Sequence, residues 1–152
     1  MLIAAQLASS DNISHHNGAA SKKRVLEELS KMLAANTTVT TAEKIFHALL
    51  DRERLGSTGL GKGVAIPHAR IPNIPYTIAA MMTLEQPVDF DAADNQTIDI
   101  AFALLVPEEG GDHHLQHLAR LATLFRDADA CQKIRAANNA DEIFELLVSI
   151  DD

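Results

Sequence analysis

His68 is the residue best placed to do chemistry in this chain. Residues 63–70 read GVAIPHAR, so His68 directly follows Pro67, whose ring fixes its own φ and restricts Ile66 before it. A histidine on such a stiff tether, at the end of a short buried strand over 64–66, can present its imidazole at the domain surface. Neutral imidazole is nucleophilic near pH 7 because its ordinary pKa is about 6.5. The alternative is an exposed loop histidine with no chemical task.

The segment before His68 is the densest glycine run of the chain, GSTGLGKG over residues 56–63. Gly56, Gly61 and Lys62 fit the nucleotide-binding pattern GxxxxGK[ST], but Gly63 stands where Ser or Thr should hold Mg²⁺. A helix also precedes this run and a strand follows it, the reverse of that pattern. We therefore expect no nucleotide site. The glycines either form a turn with positive φ or let the backbone approach a neighbouring reactive group.

A second group of histidines occurs in the segment HHLQH. His113 and His117 stand at i and i+4, where they could share Zn²⁺ on one helical face. The segment lacks the glutamate of HExxH, so the metalloprotease template fails. We expect no metal and no cofactor. His15, His16 and His47 have no partner in the sequence, and we expect them on the surface or in loops.

Apolar residues at helical spacing predict the elements that position these side chains. Ser21 and Thr41 are the predicted N-caps of the second and third helices. Residues 11–20 are predicted to be a loop, residues 22–24 (KKR) a solvated helix start, and Ile150 part of the inward face of the last helix. The predicted helices cover 2–7, 22–34, 42–54, about 115–125, 128–137 and 141–149.

Three strands are predicted, over 64–66, 77–84 and 97–106, whereas residues 71–75 (IPNIP) are expected to be irregular. Ile98, Ile100 and alternate residues after them form one apolar face of the last strand, and its other face is apolar too. A strand that is apolar on both sides is usually covered on both sides. The chain is therefore expected to form one layered α/β/α domain over 1–152, with a mixed central sheet flanked by helices.

Composition excludes several classes of protein. Lys and Arg number 13 against 21 Asp and Glu, a net charge of −8, which argues against a nucleic-acid partner bound through phosphates. A single cysteine, Cys131, excludes a disulfide framework and a thiolate metal cluster. We find neither a long apolar stretch nor a basic leader in residues 1–10. We therefore expect a cytoplasmic protein that does not insert into membranes.

The spacing around His68 resembles a family signature. Residues 52–53 (RE), 56–61 (GSTGLG) and 63–68 (GVAIPH) resemble those of the fructose/mannitol-type IIA domains of the bacterial phosphoenolpyruvate:sugar phosphotransferase system. The chain is most similar to the free-standing nitrogen-regulatory branch of that family. The block fixes many positions over 17 residues, and the resemblance covers essentially the whole chain. Leu60, where Ile is commoner, is a small departure.

The resemblance implies a phosphocarrier and a role for each site residue. His68 would accept a phosphoryl group from an HPr-like donor, through Nε2 by analogy with the family. Arg52 would pair with phosphate oxygens as a two-pronged donor. His114, near a helix start that favours anions, would hydrogen-bond the phosphoryl group. Ser57 and Thr58 could donate to phosphate or only shape the turn.

Alternatives remain open for these residues and for the function. Arg52 could be a solvated helix-end charge paired with Glu53 or Asp51, and His114 a helix-surface histidine. A chain without fused HPr, IIB or membrane domains favours the regulatory branch, in which target proteins would sense the added charge of about −1.5 to −2. One alternative is a sugar-specific IIA that passes phosphate to a separate IIB. The other is a protein-binding module that is never phosphorylated.

Overall fold

Amphipathic helices and two-sided apolar strands give the molecule its layers. The computed structural model describes residues 3–108 and 113–151, with the side chains of all but 113–115. The helices are α1 (Ile3–Leu7), α2 (Lys22–Ala34), α3 (Ala42–Leu55), α4 (His113–Arg126), α5 (Ala128–Ala136) and α6 (Ala140–Asp151). The strands are β1 (Ile13–Asn17), β2 (Gly59–Gly61), β3 (Val64–Ala65), β4 (His68–Ile71), β5 (Ile78–Val88) and β6 (Ile98–Pro107).

The strands form one mixed sheet in the order β1-β5-β6-β3-β2, with β4 also paired to β6. β5 and β6 are antiparallel, whereas β1 runs parallel to β5, and both β3 and β4 run parallel to β6. β6 pairs first with β3, at Val64↔Ile100, and then with β4, at His68↔Leu104. His68 therefore begins β4 instead of ending the previous strand as predicted.

The α/β/α prediction is confirmed, because both faces of β6 are covered. Ile100, Phe102 and Leu104 pack into a core shared with α1, α4, α5 and α6. Ala101 and Ala103 face the opposite core, built with α2 and α3. Burial of one large apolar side chain stabilises the fold by roughly 1.5–3 kcal/mol, so these two cores hold the sheet between the helical layers.

Local signals predicted the helices well. The hydroxyl of Ser21 accepts from the N–H of Arg24, and that of Thr41 from the N–H of Lys44, so both predicted N-caps are confirmed. Ile150 is wrong as an inward residue: it is 41% exposed, because it lies in the last turn of α6, at the rim of the core. None of the described helices is long and apolar enough to cross a bilayer.

Three strands, β1, β2 and β4, lie where the sequence predicted none. β1 falls in the predicted loop 11–20, because its pairing with β5 at Ile13↔Met81 is a contact distant in sequence that polar residues 14–17 do not reveal. β4 overlaps the segment expected to be irregular for the same reason. Ile98 was wrongly predicted to share one face of β6 with Ile100. It packs in the core with α2 and α3, on the other side of the sheet from Ile100, because the β5–β6 register shifts between Thr83 and Val88.

The short helix α1 is held by the other end of the chain. Five residues are too few for an isolated helix to be stable. The N–H groups of Ile3 and Ala4 donate to the two carboxylate oxygens of Asp151, at 2.9 and 2.7 Å. Arg120 donates to the same carboxylate at 3.3 Å, and the Asp151 side chain is only 3% exposed. This carboxylate therefore satisfies N–H groups that a helix start leaves open.

Candidate functional site

The imidazole of His68 is oriented by the backbone two residues before it. Its Nδ1 lies 2.8 Å from the carbonyl oxygen of Ile66, and a carbonyl can only accept. Nδ1 therefore carries the proton, and in the neutral ring Nε2 carries the lone pair. Pro67 supplies no N–H, but its carbonyl accepts from Leu104 of β6 at 2.9 Å, which anchors the tether to the centre of the sheet.

Arg52 and His68 line the same two adjoining clefts. We call the first the loop cleft; its lining is Arg52, Ser57, Thr58, Gly59, Leu60, Ile66, His68, Leu118, Ala119 and Ala122. We call the second the strand cleft; its lining is Ala48, Asp51, Arg52, Leu55, His68, Ala69, Arg70, Val106 and Leu118. The structure thus brings a cation and an imidazole, which stand 16 residues apart in sequence, to one opening.

Arg52 lies in the last turn of α3 and is partly exposed. Its Nη1 donates to the carbonyl of Gly56 at 2.7 Å, a contact typical of a basic residue closing a helix end. The two acids considered as its partners have other partners: Asp51 pairs with Arg54 at 3.2 Å, and Glu53 pairs with Lys22 at 3.0 Å. The guanidinium has five N–H donors and faces the clefts.

Ser57 and Thr58 use their hydroxyls to hold the loop. Ser57 Oγ donates to the carbonyl of Phe90 at 2.8 Å and accepts from the N–H of Gly59 at 3.0 Å. Thr58 is buried, and its hydroxyl and N–H both donate to the Glu53 carboxylate. Of the two predicted uses, shaping the turn is therefore the one that the structure contains.

Lys22 was wrongly predicted to be part of a solvated basic run. Its side chain is only 18% exposed, with Nζ 3.0 Å from the buried carboxylate of Glu53. Nζ also donates to the carbonyl of Phe90 at 3.3 Å and lies 4.8 Å from the centre of that ring. Helical spacing places Lys22 in the first turn of α2 but cannot reveal a partner in another helix, so sequence reasoning missed this contact.

The glycine run contains the predicted turn. Gly61 and Gly63 have φ of +93° and +84°, and they form this turn between β2 and β3. Gly59 also allows a close approach, but to Ala92 and not to a reactive group: a Cβ at position 59 would lie 2.7 Å from that of Ala92. The turn is fixed by Asp94, which accepts from the N–H groups of Lys62 and Gln96, and these bonds lower the pKa of its carboxyl.

The other histidines do not line the two clefts or have side chains that fall outside the described residues. His114 falls in the first turn of α4, but its side chain, like that of His113, lies outside the described residues. His117 is buried beside Phe102 in a small apolar pocket. His15 shares a 2.8 Å hydrogen bond with the carbonyl of Ala137. His16 and His47 are exposed, as expected.

Metal binding finds no support in the part of the chain that the structure describes. Its residues contain no cluster of three or more His, Cys, Asp or Glu that could hold an ion. The zinc pair considered from the sequence includes His113, which falls outside that part. Cys131 is buried and its Sγ donates to the carbonyl of Phe125. Burial raises the pKa of this thiol, which disfavours the thiolate that metals and electrophiles require.

Comparison with known proteins now decides the family. Residues 6–150 match the family described as "Phosphoenolpyruvate-dependent sugar phosphotransferase system, EIIA 2". The chain belongs to this EIIA type-2 family. A nitrogen regulatory protein of Pseudomonas aeruginosa is 41% identical over 130 residues, covering 86% of this chain and 84% of that protein. The family resemblance predicted from the block around His68 is thus confirmed.

Solved structures of EIIA proteins share the fold. The nitrogen regulatory protein IIA-Ntr from Neisseria meningitidis superimposes with a TM-score of 0.90 at 34% identity, over 95% of this chain and 98% of that one. IIA-mannitol of Escherichia coli, solved in complex with phosphorylated IIB-mannitol, gives a TM-score of 0.76 at 21% identity, over 91% and 95%. At 21% identity, the similarity to IIA-mannitol shows a shared fold alone.

Gly59→Ala is expected to destabilise this EIIA chain by about 1–3 kcal/mol, the usual effect of overpacking. The new methyl would lie 2.7 Å from the Cβ of Ala92 and 3.1 Å from its Cα, so the loop and the segment around residue 92 must separate. Urea unfolding measures the loss. Gly18→Ala is the matched control, since the nearest atom that its Cβ would meet among the described residues is Oε2 of Glu85, at 3.9 Å.

A rescue variant checks the cause. Adding Ala92→Gly to Gly59→Ala removes the 2.7 Å contact and should restore part of the lost stability. Equal destabilisation by Gly59→Ala and Gly18→Ala would contradict the close approach as the reason for glycine at position 59.

Proposed function

We propose that this EIIA type-2 chain is a phosphocarrier in which Nε2 of His68 accepts a phosphoryl group from an HPr-like donor. The observation that carries the proposal is the 2.8 Å hydrogen bond between His68 Nδ1 and the carbonyl of Ile66. It keeps the proton on Nδ1 and leaves the Nε2 lone pair as the nucleophile, in an opening that Arg52 also lines.

The transfer needs little covalent work from the protein. The Nε2 lone pair attacks phosphorus and forms an N–P bond, while the bond between phosphorus and the donor breaks and its electron pair stays with the donor. The proton stays on Nδ1 throughout, hydrogen-bonded to the carbonyl of Ile66. The neutral imidazole thus needs no separate base, because its nucleophilic nitrogen carries no proton in this tautomer.

Three groups would stabilise the transferred phosphoryl group. Arg52 would pair two N–H donors with phosphate oxygens, as a planar guanidinium does well. His114, at the start of α4, would donate one hydrogen bond, and the N-terminal N–H groups of that helix favour an anion. The loop at Ser57 and Thr58 would contribute by lining the cleft, since both hydroxyls already have partners.

The phosphorylation state of the chain would regulate partner proteins. Similar proteins include nitrogen regulatory proteins of Pseudomonas aeruginosa and Neisseria meningitidis, and a phosphoryl group adds about −1.5 to −2 charge at one surface. Partners in nitrogen or metabolic regulation could then distinguish the two forms. The alternative is transfer to a IIB protein, which rests on the IIA-mannitol neighbour solved with phosphorylated IIB.

Incubation with enzyme I, an HPr-like protein and phosphoenolpyruvate tests the proposal. Intact-mass analysis should show one added phosphoryl group that is lost in acid, because phosphohistidine is acid-labile. A donor mixture that phosphorylates another EIIA protein but adds no mass to this chain would contradict the proposal and favour a binding module. Adding a fructose- or mannitol-type IIB then separates the regulatory branch, which keeps its phosphoryl group, from a sugar-specific component.

A further inference from the structure

Glu53 is a buried carboxylate that the transfer itself does not use. It lies in the last turn of α3, next to Arg52, and its side chain is only 2% exposed. An ionised carboxylate removed from water costs several kcal/mol unless charges and hydrogen bonds compensate it. The contacts of the Glu53 carboxylate indicate its role.

The carboxylate joins three separate parts of the structure. Lys22, in the first turn of α2, places Nζ 3.0 Å from Glu53 Oε2. Thr58 donates its N–H to the same oxygen at 3.2 Å and its hydroxyl to Oε1. Glu53 therefore fixes the position of Thr58 relative to both helices.

Thr58 in turn fixes the backbone that holds the nucleophile. Its carbonyl accepts from the N–H of Ile66 at 3.0 Å, and the carbonyl of Ile66 accepts from His68 Nδ1 at 2.8 Å. Hydrogen bonds thus link Lys22, Glu53, Thr58 and Ile66 in series to the imidazole. Within Thr58 and Ile66 the N–H and the carbonyl belong to neighbouring peptide groups joined at Cα, so the series acts by positioning: each bond constrains the direction of the next.

We infer that Glu53 is a positioning residue for His68, acting through the backbone of Thr58 and Ile66, with Lys22 holding its carboxylate. The inference rests on the proposed function in assigning transfer chemistry to His68. Orientation of the Ile66 carbonyl sets both the plane and the tautomer of the ring. Losing the charge at position 53 would leave the ring free to rotate or to exchange its proton between the two nitrogens.

Glu53→Gln tests this role, because it keeps the shape of the side chain but removes its charge and one of its two acceptor oxygens. We expect phosphorylation of His68 to become about 10-fold to 100-fold slower, as when an orienting partner of a reactive group is lost. The rate is followed by intact mass after mixing the full chain with phosphorylated HPr-like donor.

Asp151→Asn is the matched control for stability. Asp151 is also a buried carboxylate that accepts from backbone N–H groups and from one cation, but it caps α1. Both variants should lower the melting temperature, and only Glu53→Gln should slow the transfer. Equal rates for Glu53→Gln and wild type, or an equal slowing by Asp151→Asn, would overturn the inference.

A second readout does not depend on phosphorylation. Nitrogen-15 NMR of the His68 ring should show the Nδ1–H tautomer in wild type and in Asp151→Asn, and a mixture of tautomers in Glu53→Gln. If wild type accepts no phosphoryl group, the proposed function fails and this signature alone decides the positioning. An unchanged His68 ring spectrum in Glu53→Gln would then overturn it.

Lys22 provides the conservative comparison. Lys22→Arg keeps a cation beside Glu53 and should retain most of the transfer rate. Lys22→Met leaves the carboxylate buried beside an apolar group and should slow the transfer as Glu53→Gln does. Equal rates for these two Lys22 variants would contradict the role of the ion pair.

Discussion

Replacing His68 by alanine is expected to abolish phosphoryl acceptance while the protein stays folded. The variant removes the nucleophilic Nε2 on which the proposed transfer depends. His68 is partly exposed at the start of β4, so the lost side chain leaves little cavity and stability should change by less than about 1 kcal/mol. Intact mass after incubation with enzyme I, the HPr-like donor and phosphoenolpyruvate measures the result.

His47→Ala is the control for this experiment. His47 is an exposed histidine on α3, 4.0 Å from Glu43, and its loss should leave phosphorylation at the wild-type level. A phosphoryl group found on His68→Ala would show that another residue is the acceptor. In that case peptide mapping of the labelled protein would identify it.

Arg52→Ala is expected to slow phosphoryl transfer by about 100-fold, the usual loss when one preorganised donor to developing negative charge is removed. Arg52→Lys keeps the charge but not the planar fork, so its rate should fall between those of Arg52→Ala and wild type. Because the residue is partly exposed and its hydrogen bond within the described residues goes to Gly56, the melting temperature should change little.

Arg54→Ala separates a specific effect of Arg52 from a general loss of positive charge. Arg54 lies in the same turn of α3, and its 69% exposed side chain pairs with Asp51. Its loss removes the same charge but should not alter the rate. Equal rates for Arg52→Ala and Arg54→Ala would remove Arg52 from the proposed site.

The sequence predicted best those features that short stretches of chain determine. Ser21 and Thr41 cap their helices through hydroxyls that reach only three residues ahead. The alternation along β6 likewise follows from the residues of that strand, so the two-sided core could be predicted. β1 could not, because residues 13–17 carry little apolar alternation and become a strand only through pairing with β5.

The candidate site likewise contains residues that could be identified from the sequence and others that depend on contacts distant in sequence. His68 and Arg52 were found because their block resembles a family signature, and the structure places both at the same clefts. Lys22 was misread because its partner Glu53 lies in another helix, and no periodicity links the two residues. The tautomer of His68 depends on the direction of one carbonyl, which composition and spacing do not specify.

The carboxylate of Asp151 has a consequence for how the chain folds during synthesis. It is the acceptor for the N–H groups of Ile3 and Ala4, which precede it by 148 and 147 residues. α1 therefore acquires this cap only after α6 has been synthesised, and contacts so distant in sequence form slowly. α1 is thus made before α6 but becomes stable only once α6 has formed.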